Sequence, residues 1–114
     1  MSNYLFSYGT LQQAETQLKL FGRLLNGTKD VLPGYKAVMI EITDETFLAK
    51  GENKFQRIAV LSDDPSDKIE GTALEMTEEE LLQADQYEPA GYERKQVTLA
   101  SGKKAWIFGK TASR

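Results

Sequence analysis

The sequence contains no histidine and no cysteine. Those two absences remove whole classes of chemistry. No Ser-His-Asp or Cys-His pairing of nucleophile and base can form within the chain, and there is no histidine base. Cys/His zinc sites, iron–sulfur clusters and disulfides are excluded as well. Acid–base work is left to Asp, Glu, Lys and Tyr. Long apolar runs are also missing, since no stretch approaches the ~20 residues that cross a bilayer. The opening Met1-Ser2-Asn3-Tyr4-Leu5-Phe6 lacks a basic region followed by an apolar segment, so no secretory signal is expected. Nor is there a large excess of one charge: 14 Lys+Arg stand against 17 Asp+Glu, a net charge of -3. A mildly acidic, interspersed pattern disfavours phosphate backbones as partners. The longest acidic run, Glu78-Glu79-Glu80, is too short for an interaction tail. A cytoplasmic chain with no nucleic-acid and no membrane partner is expected.

What is present fits one domain, residues 1–114, with a modest core. Residues 4–8 read as a first strand that ends at Gly9. Gln12 to Phe21 places Ala14, Leu18 and Phe21 at helical spacings, with Gly22 as a stop. Arg23 to Leu32 reads as a strand broken by the turn dipeptide Asn26-Gly27, and Pro33-Gly34 marks another turn. Strands are expected over 35–43, 46–49, 57–61 (central and buried) and 69–76 (half-exposed). Thr77 and Glu80 form a capping-box pattern, with Met76 and Leu81 spaced as a hydrophobic staple. That helix carries Leu81, Leu82 and Ala84, and Pro89 ends it near Tyr87 or Glu88. Residues 92–99 and 104–109 read as a closing hairpin around Ser101-Gly102. Roughly seven or eight short strands and two helices, without β-α-β alternation, make an α+β fold with a small barrel or strongly curled sheet.

Chemistry has two natural places. The first is Tyr8-Gly9-Thr10-Leu11, between a strand and a helix. A turn feeding a helix start leaves backbone N–H groups unpaired, and such groups bind a carboxylate or a developing oxyanion. The second is Asp85-Gln86-Tyr87-Glu88, with Tyr92-Glu93-Arg94 close behind. A carboxylate at a helix-to-loop transition can face a cavity, where apolar and aromatic neighbours raise its pKa toward that of a general base. Asp85 is placed to pair with a basic residue on a neighbouring strand. Taken alone, each place also reads as plain structure. Gly9 makes the turn and Thr10 caps the helix; Glu88 is one of seventeen acids at the surface.

In their order along the chain these segments resemble the gamma-glutamylcyclotransferase-like (AIG2-like) family. Leu5-Phe6-Ser7-Tyr8-Gly9-Thr10-Leu11 resembles its opening strand and turn. Ile69-Glu70-Gly71-Thr72-Ala73-Leu74 is similar to the strand before its helix, and Asp85-Gln86-Tyr87-Glu88 with Tyr92-Glu93-Arg94 to its acidic signature. The resemblance implies a small mixed β-barrel, of about six to eight short strands with two or more flanking helices, around a cavity. It also implies an activity: a gamma-glutamyl group cyclises to 5-oxoproline and expels its amine, with no cofactor and no metal. The glutamate corresponding to Glu88 is the catalytic residue; Tyr8, Gly9, Thr10, Leu11 and Tyr92 are the expected substrate-binding residues.

Such chemistry suits a chain without histidine or cysteine. The substrate's own α-amine is the nucleophile, and one carboxylate can take a proton from it and later return one to the leaving nitrogen. Ring closure is intramolecular, so holding the substrate folded is a large part of the catalysis. The chain departs from the family at Gln12, where many members carry arginine, and at Pro89, where many carry glycine. These rim changes leave the leaving amine open. A non-catalytic module binding a small carboxylate metabolite on the same fold is the alternative. Residues 47–55 are a candidate flap over the cavity.

Overall fold

Alternating side chains send the apolar residues of the central strands to opposite faces. In β1 (Asn3–Ser7), Leu5 and Phe6 are both buried but belong to different clusters. The same holds for Leu74 and Ala73 in β5 (Lys68–Met76), and for Phe108 and Ile107 in β7 (Lys104–Lys110). These three strands are the middle of a sheet completed by β2 (Gly27–Pro33) and β6 (Tyr92–Thr98), in the order β2-β5-β1-β7-β6. β1 runs parallel to β7, and the other pairings are antiparallel. The computed structural model describes residues 3–51, 54–87 and 92–110, apart from the side chains of Thr10 and Lys110.

One face of the five-stranded sheet packs on three helices, α1 (Ala14–Phe21), α2 (Glu45–Leu48) and α3 (Glu78–Tyr87). The other meets a two-stranded sheet of β3 (Tyr35–Glu41) and β4 (Phe55–Leu61). Gly71 lets β5 lie close to β1. A Cβ there would stand 2.5 Å from the Ser7 carbonyl oxygen and 2.8 Å from Phe6 Cζ. No helix among the described residues is long and apolar enough to cross a membrane.

The α+β class holds, but the expected barrel does not close. β2 and β6 remain the two edges of an open sheet, and β3–β4 is separate. Pro33 still pairs with Lys68, and Gly34, at φ 79°, donates its N–H to the Asp67 carbonyl at 2.8 Å as the chain passes to β3. On β4, the Ala59 N–H donates to the Tyr8 hydroxyl at 2.8 Å. That hydroxyl donates in turn to the Phe108 carbonyl at 3.2 Å. One side chain thus ties β1 to β4 and β7.

Other expectations are corrected by satisfied polar groups. Residues 46–49 are not a strand: Asp44 caps α2 by accepting from the Thr46 N–H at 3.1 Å. Asn26-Gly27 does not break a strand as a turn: β2 begins at Gly27, which pairs with Leu74. Residues 57–61 lie in the outer sheet rather than a central strand, and Leu61 is 73% exposed. Leu18 and Leu82 face solvent. In α1 the buried face instead carries Gln17, whose side chain donates to the Leu11 carbonyl at 2.8 Å and accepts from the Leu25 N–H at 2.9 Å. The 92–109 hairpin forms as expected, with Gly102 at φ 90° in its loop.

Candidate functional site

The first candidate segment follows β1 as a single 3-10 turn, Thr10–Gln12. The Gln12 N–H donates to the Gly9 carbonyl at 3.2 Å, and the Gln12 amide side chain reaches the same oxygen at 3.3 Å. The Leu11 carbonyl is held by Gln17. The turn's carbonyls at 9 and 11 are therefore already paired, whereas N–H groups that open a helical turn find no acceptor within it. Gly9 does not sit at positive φ. A Cβ at Gly9 would meet nothing within 4 Å.

The second segment is the end of α3. Its start is fixed by the capping box: the Thr77 N–H donates to Glu80 Oε1 at 2.9 Å, and the Glu80 N–H to Thr77 Oγ1 at 3.2 Å. Arg23 adds a bidentate pair to the same carboxylate, both bonds 2.8 Å. Those Arg23 bonds hold Glu80 below its ordinary pKa, against the opposing effect of burial. At the other end Asp85 takes two bonds from Arg94 of β6, at 2.6 and 3.0 Å, as its spacing had indicated. The Arg94 guanidinium also stacks over Trp106, 4.9 Å from the ring centroid. Lys50 Nζ donates to the carbonyls of Gln86 and Tyr87, each at 3.0 Å, so α3 ends on a cation.

The two segments border one cavity of about 70 Å³. Tyr8, Gly9 and Leu11 line it from the first, and Tyr87 and Tyr92 from either side of the second. Five of the described candidate positions and neighbours thus come together from opposite ends of the chain. The Thr10 side chain and Glu88 lie outside the described residues, as does Pro89. Leu5, Ile42, Phe47 and Phe108 make the wall apolar, with Ser7, Gln56 and Arg57 as its remaining polar side chains among the described residues.

Several of these residues had no signal in the sequence. Arg57 opens an apolar run and read only as strand. Phe47 was placed on the candidate flap, yet it is buried and packs edge-on against Tyr87, ring centroids 5.9 Å apart. With Lys50 bound to α3, the described part of 47–55 is fastened to the body at two points. Its Asp44-x-Thr46 cap pattern was the available clue. Among the described residues, no three of Asp, Glu, His or Cys come together as a set of metal ligands.

The model of the family described as gamma-glutamyl cyclotransferase, AIG2-like matches residues 5–113. The chain belongs to that family. No curated protein matches it. Among solved structures, an Arabidopsis thaliana protein known from its solution structure is 21% identical with a TM-score of 0.68, over 97% of this chain and 62% of that one. An uncharacterized human protein is 17% identical at a TM-score of 0.71, over 99% and 69% of the two chains. A structure titled gamma-glutamyl cyclotransferase is 16% identical at a TM-score of 0.69, over 100% and 69%. At these identities the likeness is one of fold. This chain spans about 62% of the length of the Arabidopsis relative.

Proposed function

We propose that this AIG2-like chain is a cyclotransferase that converts a small gamma-glutamyl compound into 5-oxoproline and a free amine. The observation that carries the reading is the shared cavity: Tyr8, Gly9 and Leu11 of the turn line it together with Tyr87 and Tyr92, which flank Glu88 in sequence. At about 70 Å³ the cavity is sized for a small molecule such as a glutamyl chain, with the amine portion at the mouth.

In the reaction the substrate's α-nitrogen, once deprotonated, bonds to the γ-carbonyl carbon. The bond from that carbon to the leaving nitrogen breaks. Glu88 accepts the proton shed by the attacking amine and delivers one to the departing nitrogen, so it is regenerated. Backbone N–H groups of Gly9, Thr10 and Leu11 stabilise the carbonyl oxygen as it gains charge. The walls of Leu5, Phe47 and Phe108 exclude water and favour the folded substrate conformer. This chemistry uses no cofactor and no metal, and no histidine or cysteine, in keeping with the composition.

The test is 5-oxoproline release from a panel of gamma-glutamyl amino acids, gamma-glutamyl amines and gamma-glutamyl isopeptides. Release from at least one class supports the reading. Saturable binding of 5-oxoproline with no release from any class would replace it with the carboxylate-binding module.

A further inference from the structure

The described cavity wall carries one charged side chain, Arg57. Its cross-strand neighbour on β3 is Met39, which offers no counter-charge. The ion pairs among the described residues use Arg23, Lys54 and Arg94, and none uses Arg57. Glu41, the acid at the near end of β3, is already 3.8 Å from Lys54 Nζ. Arg57 nevertheless has a defined position. Nη1 donates to the Tyr8 carbonyl at 3.3 Å, and the guanidinium carbon lies 6.0 Å from the Tyr8 ring centroid. Tyr8 is itself fixed through its hydroxyl to Ala59 and Phe108.

A guanidinium presents five N–H donors in a planar fork that matches a carboxylate. Here the bond to the Tyr8 carbonyl occupies one donor, at the rim of a mostly apolar hollow. An unpaired surface arginine is commonplace. One held by its neighbours at a cavity mouth is a preformed anion anchor. Because the side chain is already restrained by Tyr8, less rotamer freedom is lost when a ligand arrives.

We propose that Arg57 binds a carboxylate of the molecule that fills the cavity, positioned by the carbonyl and ring of Tyr8. The proposal rests on reading the cavity as the substrate site, and it is independent of whether the cyclisation step takes place there. It makes Arg57 a substrate-binding residue.

The experiment is a titration of the full chain, labelled with nitrogen-15, following the Arg57 Nε–H signal. Three probes are used: 5-oxoproline, glutarate, and the neutral primary amide of 5-oxoproline. At least one acid is expected to shift that signal saturably. A charge-assisted contact predicts that Arg57→Gln weakens that acid ~10–100-fold, with Arg57→Lys in between. Where 5-oxoproline is that acid, the amide binds wild type about as weakly as the acid binds Arg57→Gln. Melting temperatures of the variants are expected to match wild type, because Arg57 is exposed. Equal acid affinity in wild type and Arg57→Gln overturns the proposal, as does an Arg57 signal that neither acid moves. Acid binding through Arg57 without 5-oxoproline release from any substrate would defeat the cyclotransferase reading and leave this proposal standing.

Discussion

Lys50 Nζ donates to the Tyr87 carbonyl oxygen at 3.0 Å, joining the segment after α2 to the last residue of α3. A second bond to the Gln86 carbonyl, and a position 5.4 Å from the Tyr87 ring centroid, make this a three-way contact. It satisfies carbonyls that the end of a helix otherwise leaves to water. The residue that follows Tyr87 in sequence is Glu88.

Lys50→Met keeps the aliphatic stem and removes the charge. Stability is expected to fall by ~0.3–1 kcal/mol, the range for a cation at a helix C-terminus. If Glu88 is the base, 5-oxoproline release falls further than stability explains, and Lys50→Arg recovers part of it. Denaturant melts beside initial rates check this; rates that track stability alone contradict it.

Gln17→Leu strips a donor from the Leu11 carbonyl and an acceptor from the Leu25 N–H, both in buried surroundings. Each orphaned group costs about 1–3 kcal/mol. The variant is expected to unfold at clearly lower denaturant, despite its gain in apolar character. A midpoint at or above wild type contradicts the account.

Two glycines are expected to respond oppositely. Gly71→Ala forces a methyl against the Ser7 carbonyl and Phe6, and overpacking of this kind costs about 1–3 kcal/mol. Gly9→Ala meets open space at an ordinary φ and leaves the melting temperature within a degree or two of wild type. Thermal melts of the pair decide the matter.

The Glu80 carboxyl is held below its ordinary value of 4.5 by Arg23. A group with a depressed folded pKa binds protons more readily when unfolded. Its contribution is therefore complete above about 4.5 and lost as the pH drops through the lower, folded value. Wild type is expected to lose stability on acidification below that point, and Glu80→Gln to show a shallower loss. Parallel acid limbs in the two proteins, followed by urea midpoints, would contradict this.

The capping box, a basic partner for Asp85 on a neighbouring strand and the closing hairpin were legible in the sequence because each is local or specified by residue type. The Tyr8 hydroxyl's bond to the Ala59 N–H was not, since it joins strands far apart in the chain. Helix α1 forms where its spacing predicts but buries a different face, because a buried glutamine satisfies two backbone groups that no apolar periodicity records. The turn and the aromatic residues beside Glu88 could be picked out in advance. Arg57 and Phe47 could not: their arrival at the cavity is a product of strand and helix packing.

The most direct test of the central claim is 5-oxoproline release by Glu88→Gln beside wild type, on the best substrate of the panel. The account predicts an unchanged melting temperature and a rate lower by ~10²-fold or more. Turnover equal to wild type would remove Glu88 from the chemistry.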